Sequence, residues 1–202
     1  GIYIEVPFRA DAGVVNVEVT GAVRSPYFSA KDFHRTTLDE WLDTERHHNA
    51  PWADFQSDKF MMQVPTNWIY AHPDPVTLMQ EWDATMDAIN DLMGFPRDRG
   101  KETIYPQVDL IFRVSVHAPG YPSINNTDNP NNDRGGYSGN YLVRGPRNGS
   151  DIEFHEQGHA YFFPKFGGET ESNVNLPHVS ALHRGMGVEL DEAFASSLGF
   201  EG

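Results

Sequence analysis

Apolar and polar residues alternate with a period of two over Ile2 to Val6 and again over Val14 to Val23, where Val15, Val17 and Val19 stay in step before Gly21 and Pro26 interrupt. That period predicts a strand in both places. Phe33 to Arg46 reads as a short helix and Phe60 to Pro65 as a further strand. From Asp74 the period lengthens: Asp74 is a capping residue, Pro75 fits the first helical position, and Leu78, Trp82, Met86, Ile89 and Met93 recur every three or four residues until Gly94 and Pro96. This spacing predicts a helix that turns one apolar face to the core. Val108 to Val116 is a continuous β-branched and aromatic run suited to a strand at the heart of a sheet. His47 and His48, with Trp52, read as a solvated loop, since adjacent side chains of an extended chain point to opposite sides. The elements add up to an α+β chain with a β-rich portion over residues 1–70 and a second part over residues 71–202.

The segment from Ala118 to Ser150 is dense in Gly, Asn, Pro and Asp. Connections of this length are functional or disordered. Within it, Asp128 to Gly135 has the look of a calcium loop, but Pro130 stands where an oxygen ligand is needed and no bidentate Glu follows. The chain closes just as Asp191 to Leu198 begins a helical pattern, and it opens without a basic and apolar leader. The expectation is a piece of a longer, multi-module protein, truncated at its C-terminal side.

Composition narrows the function classes. The 202 residues carry Lys+Arg 15 against Asp+Glu 29, a net charge of −14, and mean hydropathy is −0.53. Such a field repels phosphate backbones, so nucleic acid is not an expected partner. No apolar run approaches the roughly 18 residues of a membrane helix, so no membrane span is expected. With Cys 0 there is neither a thiol nucleophile nor a thiolate ligand, and a catalytic metal would have to rest on His and carboxylates.

Residues 154–163, Phe154-His155-Glu156-Gln157-Gly158-His159-Ala160-Tyr161-Phe162-Phe163, supply such a set. Side chains four apart lie one above the other on a helix, so His155 and His159 can reach one metal ion about 2.0 to 2.1 Å from each ring nitrogen. Glu156 cannot join them with the same geometry, but its carboxylate is placed for general base work on a water. Gly158 lets another backbone come close, and Pro164 stops the run. Three protein ligands plus an open position are the pattern of a catalytic zinc site. The metzincin pattern fails, because Phe162 and Lys165 occupy the positions of its Gly and third His. That leaves a glutamate from a second helix, as in gluzincins. Glu169 and Glu171 both qualify, each with an asparagine one turn later, Asn173 or Asn175, able to bond a ligand imidazole.

The H-E-x-x-H of His155 to His159, followed by Thr170-Glu171-x-x-Val174-Asn175-Leu176, resembles the signature of the enhancin-like zinc metallopeptidases. The similarity extends to Ile2-Tyr3-Ile4-Glu5-Val6-Pro7, Gly21 to Phe28, Ala50-Pro51-Trp52-Ala53, the helix from Asp74, and Gly120-Tyr121-Pro122. The chain departs from the family before the motif, at Asn148 to Asp151, and after it, at Tyr161 to Phe163. The resemblance implies Glu171 as the third zinc ligand and Asn175 as the residue that orients a ligand imidazole. It also implies a zincin-like metallopeptidase domain with a mixed sheet and active-site helices. A secreted or cell-surface setting and a mucin-type, O-glycosylated glycoprotein substrate follow from it as well. Tyr121, Arg134, Gly136, Tyr137 and Tyr141 are candidates for holding sugar, and Tyr121, Tyr137, His117, His178 and His183 for steadying an oxyanion. Two further function classes are a catalytically silent glycan-binding or structural module that keeps the fold, and an exopeptidase or zinc hydrolase of non-peptide substrates.

Overall fold

The computed structural model describes residues 2, 11, 13–32, 34–95, 105–108, 117–118, 123–125, 141–148, 151–161 and 170–197. Its strands are β1 (Tyr27–Lys31), β2 (His34–Arg35), β3 (Trp52–Gln56), β4 (Met61–Pro65), β5 (Pro106–Val108), β6 (His117–Ala118) and β7 (Ser123–Asn125). Among the described residues these form one mixed sheet in the order β2-β1-β3-β4-β5-β7-β6. β3 and β4 make an antiparallel hairpin with Gln56 opposite Met61. The Ser57 hydroxyl sits in its turn and accepts from the amides of Lys59 and Phe60 at 3.1 and 3.0 Å. β1 runs parallel to β3, β4 to β5, and β5 to β7, while β6 closes the far edge antiparallel to β7.

Helix α1 spans Leu38–Asp43, α2 Thr66–Ile69, α3 Pro75–Met93, α4 Tyr141–Arg144, α5 Asp151–Tyr161, α6 Thr170–Asn173, α7 Leu176–Ser180 and α8 Leu190–Ala195. α3 is the helix that the 74–96 pattern predicts. Asp74 caps it by accepting from the Thr77 amide at 3.0 Å, and Gly94 ends it in the left-handed conformation, φ 69°. Its apolar stripe is buried in the main core with Phe28, Trp41, Phe55 and Met62 of the β-rich part. A π-helical turn at Ala181–Gly185 continues α7 against α3, where Ser180 Oγ donates to the Ala88 carbonyl at 2.8 Å.

Three expectations are corrected. The alternating segment from Val14 to Val23 is not a strand: it pairs with no described residue, and Val14 is 92% exposed. Alternation gives a segment the capacity to pair, and pairing also needs a neighbour with free backbone groups and an apolar face to cover. Phe33 to Arg46 is not one helix. His34 and Arg35 pair with β1, and Thr37 accepts from the Glu40 amide at 3.1 Å, so the helix starts at Leu38. Nor do His47, His48 and Trp52 form a solvated loop: His47 ends a 3-10 turn, and half-buried Trp52 opens β3. Of the run from Val108 to Val116, only Val108 is described, at the end of β5. Apart from Ile2, the Ile2 to Val6 strand lies outside the described residues, as does the Asp128 to Gly135 loop.

Candidate metal centre

The site is built on α5, which lies against β6 and β7 at the β6 edge of the sheet. A column of rings sets its depth. Phe60, just before β4, stacks on Trp82 at 4.3 Å, Trp82 meets Phe154 at 6.1 Å, and Phe154 stacks on His178 of α7 at 5.0 Å. The Trp82 indole donates to the Leu142 carbonyl at 3.2 Å, which ties α4 to the same column. With Phe154 turned inward, its neighbours His155 and Glu156 are half-buried on the other side of the helix.

Gly158 fixes how close the next segment comes. A Cβ built there would lie 2.2 Å from the carbonyl oxygen of Val174, so only glycine fits against this backbone. The approach brings α6 over the histidines. His155 Nε2 and His159 Nε2 are 3.1 Å apart, and Glu171 Oε2 lies 3.1 and 3.5 Å from them. Four ligands at 2.0 to 2.1 Å in a tetrahedron stand about 3.3 Å from one another, so the three donor atoms suit a zinc-type cation. Glu171 is 75% exposed, which leaves the centre open to solvent on that side.

Asn175 links the two segments. Its Oδ1 accepts from His155 Nδ1 at 2.7 Å, and its Nδ2 donates to the Glu171 backbone carbonyl at 2.9 Å. The first bond places the His155 proton on Nδ1 and leaves the Nε2 lone pair facing the centre. Glu156 has no hydrogen bond or ion pair among the described residues. On the inward face of α5, Gln157 Nε2 donates to the buried carboxylate of Glu153 at 3.1 Å.

Of the other sequence candidates, Tyr121, Arg134, Gly136, Tyr137 and Glu169 lie outside the described residues. Tyr141 begins α4 and His117 begins β6, with only their backbones described. His183 is exposed and its Nδ1 lies 2.8 Å from the Val188 carbonyl. His178 is buried, with Nδ1 3.0 Å from Ser197 Oγ, and desolvation pushes its pKa down to about 4 although Asp151 opposes the shift. The imidazole is therefore neutral in the fold at ordinary pH. Its stacking on Phe154 was not legible in the sequence, where the rest of α5, the whole of α6 and the connection between them separate the two residues.

Residues 21–192 match the family Peptidase M60, enhancin and enhancin-like. The chain belongs to this family. Its α+β architecture, a mixed sheet plus helices, is that of M60 catalytic domains, a metallopeptidase fold. Among solved structures it is similar to the M60 catalytic domain from Clostridium perfringens ZmpC in complex with the sialyl T antigen. The TM-score is 0.56 at 14% identity, over 77% of this chain and 32% of that one. The structure of the CBM32-1, CBM32-2 and M60 catalytic domains from Clostridium perfringens ZmpB aligns at a TM-score of 0.51 and 15% identity, over 79% of this chain and 17% of that one. At these identities the likeness is one of fold. In sequence the chain is similar to TRPM8 channel-associated factor 3 of Mus musculus, 32% identical over 124 residues, which are 60% of this chain and 13% of that protein. TRPM8 channel-associated factor 2 of Homo sapiens is 33% identical over 95 residues, or 47% of this chain and 10% of that protein. The M60 chain thus spans 10% to 13% of the length of these relatives. Among its described residues, no helix is long and apolar enough to cross a membrane.

Proposed function

We propose that this M60 chain is the catalytic part of a zinc-dependent endopeptidase that cleaves O-glycosylated, mucin-type proteins in a secreted or cell-surface setting. Residues 1–70 and 71–202 then act as one peptidase unit within a multi-module protein. The observation that carries the reading is the mutual spacing, 3.1 to 3.5 Å, of the donor atoms of His155, His159 and Glu171. These three residues would hold the zinc. Bound there, zinc would supply Lewis acidity towards the scissile carbonyl and would lower the pKa of a water towards about 7.

The chain's own residues do the rest. Glu156 takes a proton from the attacking water and delivers it to the leaving amine, and its carboxylate has no partner among the described residues. Asn175 keeps His155 in the tautomer whose Nε2 is a donor of electrons. The exposed side of Glu171 leaves room for an extended polypeptide. Tyr121, Arg134, Gly136, Tyr137 and Tyr141 remain the candidates for the glycan.

The test is incubation with an O-glycosylated protein and its deglycosylated form, with and without a zinc chelator. Cleavage of the glycosylated form alone, abolished by chelation, is expected. In Glu156→Gln the rate should fall by about two to four powers of ten while one zinc per chain is retained. Equal cleavage of both forms removes the glycan requirement, and cleavage that survives chelation removes the metal. A second reading is favoured by the relatives named TRPM8 channel-associated factors: a catalytically silent binding module that keeps the fold. Retained binding of glycoprotein with no cleavage of any substrate would select it.

A further inference from the structure

We propose that the groove between the start of β3 and α2 binds an extended, proline-rich peptide carrying acidic side chains. The groove is a cavity of about 720 Å³ walled by Pro51, Trp52, Pro65, Asn67 and Tyr70. Its surface is almost all ring and aliphatic carbon, and Tyr70 is left 39% exposed. A concave site of this size lined by apolar and aromatic side chains has the common form of a ligand groove.

The chemistry of the walls selects a peptide over a sugar. A sugar needs several convergent polar groups beside its aromatic platform. Here the Thr66 hydroxyl already donates to the Ala50 carbonyl at 2.8 Å, and the Tyr70 hydroxyl is engaged with His47 Nδ1 at 3.1 Å. The Asn67 amide and the Trp52 indole N–H have no partner among the described residues. A few donors between flat rings match a polyproline II segment, whose carbonyls make no internal hydrogen bonds and whose rings recur every third residue. Grooves lined by aromatic side chains recognise such segments at low entropic cost.

Charge selects the acidic character. At the Tyr70 end, the Arg46 guanidinium lies 5.0 Å from the ring centroid. It is held by the Leu42 carbonyl at 2.9 Å and the Tyr70 carbonyl at 3.4 Å, both uncharged. Arg24, Arg35 and Lys59 pair with Glu45, Asp32 and Asp87, whereas no carboxylate pairs with Arg46 among the described residues. A positioned guanidinium with no carboxylate beside it complements a carboxylate from outside at short range, where a direct contact outweighs the repulsive field of a chain of net charge −14.

The groove shares no residue with the metal centre, and its test is a binding measurement, so it stands or falls independently of peptidase activity. Fluorescence anisotropy of the intact chain with a fluorescein-labelled peptide of Glu-Pro-Pro repeats should give saturable binding. Lys-Pro-Pro repeats, and equally acidic but flexible Glu-Gly-Ser repeats, should bind about tenfold more weakly or worse, a difference of about 1.4 kcal/mol. Tyr70→Ala and the surface variant Asn67→Ala should each weaken the Glu-Pro-Pro complex, and Arg46→Gln should erase the preference for Glu over Lys. No binding, equal binding of the flexible peptide, tighter binding of a neutral oligosaccharide, or full affinity in both Tyr70→Ala and Asn67→Ala would overturn the proposal.

Discussion

Helices α3 and α5 meet through the rings of Trp82 and Phe154, yet they are held by opposite kinds of contact. α3 buries a continuous apolar stripe, from Leu78 through Trp82 and Met86 to Ile89 and Met93. Among its described side chains, α5 buries one large apolar group, Phe154, together with a Glu153–Gln157 pair and a glycine pressed on the Val174 carbonyl. Apolar burial is non-directional and tolerates small displacements, so it stabilises without setting distances finely. Hydrogen bonds and a backbone contact are directional, and they set the spacing of Nε2 and Oε2 atoms across the centre. The first helix makes the molecule stable, and the second makes its site.

The largest expected effect tests the α3 side. Trp82→Ala removes the middle ring of the column, and the loss should be about 3–5 kcal/mol of unfolding free energy in a urea titration. If zinc affinity below the transition is unchanged, stability and site geometry are separable; an equal loss of zinc affinity would break the contrast. On the α5 side, Gly158→Ala must push Val174 away. The top of the overpacking range, about 3 kcal/mol, is expected because a backbone carbonyl cannot rotate aside. Unlike Trp82→Ala, this variant should also weaken zinc binding measured by calorimetry in the still-folded protein.

His178 lies where the two regions join, and its titration offers a pH test. Its folded pKa of about 4 is below its ordinary value of 6.5 because of burial. Between those values the unfolded chain binds the proton and the folded chain does not. The contribution is thus present above pH 6.5 and is lost as pH falls to about 4. Linkage puts it on the order of 3 kcal/mol. His178→Phe keeps the ring against Phe154 and should flatten that slope in denaturant titrations across this range. The smallest effect is expected at Asn175. Asn175→Ala frees the His155 ring and should weaken zinc tenfold to a hundredfold, with little change in the melting temperature of the zinc-free protein.

How much of this was legible depends on how local the cause was. The boundaries of α3 could be read because the cap, the proline and the closing glycine lie beside the residues they govern. The same holds for the pairing of His155 with His159, four apart on one helix. The strand expected over Val14 to Val23 failed because pairing depends on a partner the segment does not carry. Between Glu169 and Glu171, spacing left the choice open, and the family signature rather than the pattern favoured Glu171.

The sequence by itself determined the donor types, their order along the chain, the absence of thiolate chemistry and the helix that carries the histidines, because each follows from residue identity or from a period of a few residues. Only the tertiary structure decided that the Glu171 carboxylate comes within 3.5 Å of both imidazoles, that Val174 rests on Gly158, and that His178 is dry against Phe154. Those are distances between segments joined by a loop, and a loop's length limits how far its ends can separate without dictating where they meet.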